Sequence, residues 1–338
     1  MDNNETKKIK NRAGNAHYSG IGGQAVIEGV MMKNKDRYAV AVRTPEKDIN
    51  ISIEEYEPFG GSGRIVRLPF IRGVFSFIDS LIIGIRTLNY SASFYEEEDV
   101  KSKKRQKKGL LDKIFGENAE KAVSGLTVCL SVVFAIGLFM LLPYYLSVLL
   151  RRWIVSELVI SIAEGVLRIF IFIGYLLAIS LMEDIRRTFM YHGAEHKCIN
   201  CIETGNELNV QNVLASSRQH KRCGTSFMFL VVFVSIIFFM FIRAQEPILR
   251  VAIRILLIPV IAGVSYEIIR LAGRSDNIFV KIISAPGLLL QKLTTREPDA
   301  EMVEVAIASV EAVFDWRAYL LSEFGVVVPY EEEKDYYA

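Results

Sequence analysis

Residues 122–150 read AVSGLTVCLSVVFAIGLFMLLPYYLSVLL, with no Asp, Glu, Lys or Arg among them. A helix of roughly 20 apolar residues crosses the hydrocarbon core of a bilayer, and a soluble core rarely holds an uncharged stretch this long. Residues 226–242 (SFMFLVVFVSIIFFMFI) form a second uncharged run. Two further runs carry a few charges: 158–182, with Glu164 and Arg168, and 248–270, with Arg250, Arg254, Glu267 and Arg270. The sequence therefore predicts a polytopic α-helical membrane protein with four transmembrane helices in two pairs. Glu164 and Arg168 stand four apart and most simply pair with each other.

The polar first residues, MDNNETKKIKNRAGNAHYSG, lack the apolar core of a signal peptide. Lys and Arg mark the cytoplasmic side of a membrane. KSKKRQKK (101–108), Lys113 and Lys121 precede the first span. Arg186, Arg187, Lys197, Arg218, Lys221 and Arg222 lie between the second and third, and the other connections carry only Arg151, Arg152 and Arg243. Both termini and the 183–225 connection are expected in the cytoplasm. Thiols stay reduced there, so the four cysteines suggest metal binding or packing rather than disulfides. The net charge of +2 decides little, because opposite charges cancel between regions. The basic run suits anionic lipid headgroups, and no specific nucleic-acid partner is expected.

Short β-rich runs punctuated by Gly, Asn, Asp and Pro predict a small sheet over 20–57. Residues 66–95 show helical apolar spacing with Pro69 in the first turn, as expected of an amphipathic helix in the interface plane or packed on the bundle. The expected organisation is a disordered N-terminus (1–19), a cytosolic β unit (20–64), and an amphipathic helix with charged linker (65–120). A four-helix membrane domain (121–274) with its cytoplasmic loop 183–225 follows. A cytosolic segment with a helix and an acidic tail (275–338) ends the chain.

Residues 191–201, YHGAEHKCINC, hold two of four histidines and two of four cysteines. His192, Glu195 and His196 share one face if the second span's helix continues through them. Two His at i and i+4 can hold one Zn²⁺, and a Glu beside them can act as general base. The order His-x-x-Glu-His is also that of the inverzincins. A third ligand is needed, and His220, Cys223 and Glu267 are candidates; an acidic residue within a span is costly unless paired or functional. Glu267 could instead pair with Arg270 or Arg274. Cys198, Cys201, His220 and Cys223 offer a competing set, a closed structural zinc clip, and a metal-free buried polar cluster is a third reading. GGQAVIEG lacks the phosphate-loop pattern and reads as a strand and turn in which Gln24 and Glu28 could line a cleft. In TTREPD, residues 294–299, Arg296 could hold a negative charge, or the stretch could simply cap a helix.

Seven stretches occur together in order: GGQAVIEGVMMK (22–33), PFIRGV (69–74), NYSAS (89–93), YHGAEHK (191–197), RCGTSF (222–227), SYE (265–267) and LTTREPD (293–299). The set resembles the DUF1385 family, the YqhQ-like bacterial membrane proteins. The resemblance runs from about residue 20 to 316. It implies a multi-pass protein of the bacterial cytoplasmic membrane that looks like a metal-dependent enzyme. Two functions are expected to compete. One is a hydrolase at the cytoplasmic membrane face using a divalent metal, zinc by ligand type, with Glu195 and Arg296 catalytic. The other is a non-enzymatic factor in membrane-protein biogenesis that binds a protein partner such as the translocation machinery.

Overall fold

A computed structural model describes residues 17–61, 63–103, 119–242, 246–273 and 277–329. The expected disordered residues up to 16, most of the basic run and the acidic tail from 330 lie outside the described residues. The chain is mostly helical, with a small N-terminal antiparallel sheet. Its strands β1 (Gly22–Val26), β2 (Gly29–Asn34), β3 (Arg37–Arg43) and β4 (Ile49–Glu55) follow one another in space as in sequence. Short turns permit this meander, and Glu28, Lys35 and Lys47 take the left-handed conformation the reversals require. Side chains alternate across the sheet. Val26, Met31, Tyr38, Val40 and Val42 form one apolar face, and Val30, Met32 and Ala41 contribute to the other.

The first face is covered by α1 (Ile71–Lys103), through Ile83, Tyr90 and Phe94. This helix begins at 71 rather than 66. A short 3₁₀ turn (Ile65–Arg67) and a left-handed Phe70 precede it, so Pro69 lies just outside. Its start packs on a distant helix, α9 (Ile258–Ala272), which follows α8 (Pro247–Leu256), rather than lying free. There Arg72 makes a bidentate ion pair with Glu267, which also accepts the Phe70 N–H. Gly73 sits against Gly263 and Tyr266, an approach that a side chain would block. At its other end Ser91 accepts the Ile27 N–H, and Tyr95 donates to the Arg43 carbonyl. One helix thereby joins the apolar bundle to the sheet.

In the bundle, α2 (Ala119–Ile136) passes through a π-helical turn (Gly137–Leu141) into α3 (Leu142–Leu150), and α4 (Glu157–Ile179) returns. Pro143 has no N–H for the carbonyl four residues before it; that carbonyl, Phe139 O, accepts from Arg168 Nε at 3.1 Å instead. Among the described residues, three helical stretches are long and apolar enough to cross a membrane: Gly125–Leu150, Glu157–Ile179 and Ile248–Ala272. The fourth apolar helix, α7 (Gly224–Met240), is 17 residues long. The expected continuous helix from the second run through the histidines is broken at Ser180–Met182. Met182 is extended, and Glu183 and Asp184 in the next turn favour a new helix N-terminus. That helix, α5 (Glu183–Glu203), leads to α6 (Val210–Ala215). After the bundle come α10 (Ile278–Thr294), α11 (Ala300–Glu311) and α12 (Trp316–Phe324). The largest core lies between the second face of the sheet, α5, α11 and α12, around Met32, Tyr191, Ile199, Ile202 and Trp316.

Within the bundle the Glu164–Arg168 pair acquires a third member. Arg254 meets the Glu164 carboxylate at 2.7 and 2.9 Å, Arg168 meets it at 2.9 Å, and all three are buried. Arg168 also donates to Ser235, and both guanidiniums lie over the Phe239 ring. One carboxylate thus satisfies two buried cations. Breaking a buried ion pair from one side costs about 3–5 kcal/mol. Glu164→Ala is expected to lower stability by about that much, read by denaturant unfolding in detergent, whereas Glu157→Ala at the exposed Arg151 pair changes it by less than about 1 kcal/mol.

Candidate metal centre

A helix as polar as α5 is normally a surface helix, yet from Tyr191 to Glu203 it is buried on nearly every side. Gly193 makes this possible. A Cβ there would strike the carbonyl oxygen of Arg296, so only glycine lets the 294–298 segment lie on the helix. The segment is fixed by the Arg296 N–H, which donates to Phe189 O, and by Asp299, which caps α11 through the Met302 N–H. On the next side of α5, Lys197 donates to the Leu214 and Ser216 carbonyls, and Asn200 to those of Ser217 and Gln219. These bonds pin the 214–220 loop to the helix.

The two clamped segments set both imidazoles. His192 Nδ1 lies 2.9 Å from Thr294 O, and His196 Nδ1 lies 2.6 Å from Arg218 O. A carbonyl can only accept, so each neutral ring carries its proton on Nδ1 and leaves the Nε2 lone pair free. The rings are 4.4 Å apart between centroids. Cys223, at the N-cap of α7, places Sγ 3.3 Å from His192 Nε2. Ligand atoms of His192, His196 and Cys223 all lie within 4.8 Å of one another. Two imidazoles and a thiolate around one tetrahedral zinc stand roughly 3.3–3.6 Å apart, so a small closing movement of His196 would complete a ligand triangle. Both Nδ1–H···O=C bonds are of the kind that orients metal-bound histidines. Thr225 donates its backbone N–H to the sulfur, and its hydroxyl lies 2.8 Å away.

Glu195 faces the same space. Its Oε2 is 3.5 Å from His196 Nε2 and 3.9 Å from His192 Nε2. Burial pushes its carboxyl up to about 7, countered in part by His192 and by the backbone N–H of Gly23. These groups line a cavity of about 110 Å³ with Ile21, Gly22, Gly23, His220 and Arg222. Gly23 brings the sheet to the centre: a Cβ there would lie 2.9 Å from Glu195 Cγ and 2.6 Å from Met31 O.

The remaining candidates fall elsewhere. His220 borders the cavity but turns toward Glu203 and Arg222; burial pushes its imidazole down to about 4, so it is neutral at physiological pH. Burial opposes ionisation of Glu203 as well, but the neighbouring His220 imidazole and the Arg222 charge outweigh it and hold the carboxyl below its usual range. Glu267 is away from the centre and is paired with Arg72, with Arg270 adding a lesser charge effect; the other expected partner, Arg274, lies outside the described residues. Arg296 contributes its backbone; its side chain does not line the cavity, and its Nε is buried without a partner among the described residues. Cys198 and Cys201 point from another side of α5 into the core, where burial pushes the Cys198 thiol well above its usual range and the Cys201 thiol up to about 12. Cys201 donates to Glu207 O, so the clip of three thiols and His220 is not assembled. Glu28 forms the β1–β2 turn and pairs with Arg187, while Gln24 borders a neighbouring cavity. Sequence reasoning missed Gly23 and Arg222. Paired glycines inside a strand are the available signal for the first, since they mark a close backbone approach; nothing local marks the second.

The family described as "Protein of unknown function (DUF1385)" matches residues 68–316. The "Uncharacterized protein YqhQ" of Bacillus subtilis (strain 168) is 34% identical over 308 residues, covering 89% of this chain and 94% of that relative. The chain therefore belongs to the DUF1385 family. No solved structure matches it.

Gly193→Ala tests the clamp on His192. The added methyl must displace the Arg296 carbonyl, at a cost of about 1–3 kcal/mol for overpacking. The variant is expected to unfold at correspondingly lower denaturant, and Gly174→Ala, where a Cβ meets nothing within 4 Å, is expected to match the wild type.

Proposed function

We propose that this chain is a membrane-embedded, metal-dependent hydrolase whose site lies at the cytoplasmic face. The observation that carries the reading is the convergence of two locked Nε2 lone pairs, one thiol and one buried carboxylate on a single small cavity. The donor set fits a divalent ion, and two imidazoles with one thiolate suit zinc. Three protein ligands leave a position for water or substrate, as catalytic zinc sites require. A bound ion would supply an acidified water and polarise the group under attack. The protein's residues do the rest. Thr294 and Arg218 carbonyls hold the imidazoles, Thr225 holds the sulfur, and the Gly23 N–H orients Glu195. Glu195 takes a proton from the attacking water and returns it to the leaving group. Arg222, rather than Arg296, is the cation at the cavity wall.

In this reading α7 is a fourth span, since 17 residues is the short end of the crossing range. An even number of spans puts the sheet and the centre on one side. The Lys- and Arg-rich connection 180–223 makes that side cytoplasmic in a bacterial inner membrane. The 151–156 turn, with Val155 96% exposed, then faces outward. A membrane-impermeant maleimide is expected to label Val155→Cys in intact cells and to spare Lys35→Cys until the cells are opened.

Purified protein is expected to carry a stoichiometric divalent ion by elemental analysis. His196→Ala and Cys223→Ser lose it, and Cys198→Ser keeps it. Glu195→Gln keeps the ion but loses about 10²–10⁴-fold in hydrolysis, the usual contribution of a positioned general base. A Glu195→Gln variant that fully complements a deletion strain would favour the non-enzymatic, partner-binding factor instead.

A further inference from the structure

β1 is one of the sheet's two edge strands, and the wall between two cavities. One is the 110 Å³ space at Glu195 and the histidines. The other is a cavity of about 470 Å³ between the sheet and α1, with several charged side chains in its lining. Ile21, Gly22, Gly23 and Arg222 border both. At Gly22 a Cβ would meet nothing within 4 Å, so the strand is bare and open where the two spaces adjoin.

The register says which backbone groups face that edge. A two-residue turn separates the paired Val26 and Gly29, and such a turn closes on a hydrogen-bonded pair. Bonded pairs alternate along an antiparallel ladder, so Gln24–Met31 and Gly22–Lys33 are bonded and Gly23 and Ala25 turn both N–H and C=O outward. The bond from the Arg43 N–H to Glu28 O fits the same alternation on β2's other side. So does the lowering effect of the Gly23 N–H on the Glu195 carboxyl, which lies against Gly23.

We propose that the site takes an extended polypeptide as an added strand on β1, with an acidic side chain of that peptide seated in the larger cavity. The proposal rests on the hydrolase reading and names its substrate class. An unpaired strand edge is matched by another extended backbone, which supplies the missing hydrogen bonds. Side chains of an added strand alternate between faces as those of β1 do. Residues level with Gly23 fall on the Glu195 side. Their neighbours, level with Gly22, fall on the side of Gln24, Met31 and Lys33, where the larger cavity lies. That cavity is lined by three cations, Lys33, Lys35 and Arg222, against one carboxylate, Asp79. Lys33 lies over the Tyr56 ring, and Arg222 lies over Tyr18 and is paired with Glu203. The charge balance selects an Asp or Glu next to the bond brought to the centre. In the cleavage, the water oxygen bonds to the amide carbon and the C–N bond breaks. One water proton passes through Glu195 to the departing nitrogen and the other stays on the new carboxyl, giving an acid and an amine.

The test uses the full chain in nanodiscs, supplied with zinc. The probes are unstructured synthetic peptides identical except for Asp, Asn or Lys at one position, and vesicles of phosphatidylglycerol. Capture is read apart from turnover, by photo-crosslinking in a Glu195→Gln protein with benzoylphenylalanine in place of Tyr18, which is exposed at the cavity. The Asp peptide is expected to be captured, and by the wild type cleaved, roughly tenfold better than the Lys peptide. Lys35→Glu, at an exposed position, shifts the preference toward the Lys peptide, a gain that misfolding cannot mimic. Equal capture of the Asp and Lys peptides, or lipid turnover without peptide capture, overturns the peptide proposal while leaving a hydrolase standing. Charge-selective capture with no Glu195-dependent cleavage keeps the added strand and overturns the hydrolase reading.

Discussion

Everything around the candidate centre depends on one demand: the polar side of α5 is buried, and its donors must find acceptors. An unsatisfied buried donor costs about 1–3 kcal/mol, and this helix carries several. Their acceptors are backbone carbonyls of irregular segments. Lys197 and Asn200 hold the 214–220 loop, while His196 and His192 take Arg218 O and Thr294 O. The loop's carbonyls would otherwise be orphaned, so helix and loop satisfy each other. The imidazoles are aimed as a by-product of that exchange. Gln291 extends it, receiving the His220 N–H and donating to His220 O and Ser226 from within the core.

A second constraint is closeness of backbone. The strand at Gly23 and the 294–298 segment at Gly193 both approach α5 where a methyl group would collide. Each glycine admits one wall of the site, the sheet edge in one case and the His192 clamp in the other. The bundle's counterpart is the triad of Glu164, Arg168 and Arg254, which ties α4 to α8 and recruits the carbonyl that Pro143 leaves unpaired.

Much of the architecture is legible in the sequence because it rests on local patterns. Period-two apolar runs with turn residues locate the sheet, and uncharged runs locate the helices of the bundle. The break at Ser180–Met182 is harder to see, since no Pro or Gly marks it and only the acidic pair Glu183 and Asp184 hints at a helix start. At the centre, the spacing of His192, Glu195 and His196 is local and readable. The convergence of Cys223 is not, because it depends on how the 214–220 loop is clamped. Glu267 illustrates the same limit. Its partner, Arg72, lies 195 residues away and is reached only because α1 starts against α9. The CINC stretch departs from the histidines for a simple reason: adjacency in sequence along α5 says nothing about which side of the helix a residue occupies.

The groups that shape the centre come from four well-separated stretches: 22–23, 192–196, 218–225 and 294. The last belongs to the end of α10, so a growing chain lacks the His192 clamp until 102 further residues have been added after that histidine. Until that residue is in place the His192 ring has no carbonyl to set its orientation, so the order of synthesis also sets the order in which the parts of the centre can be fixed.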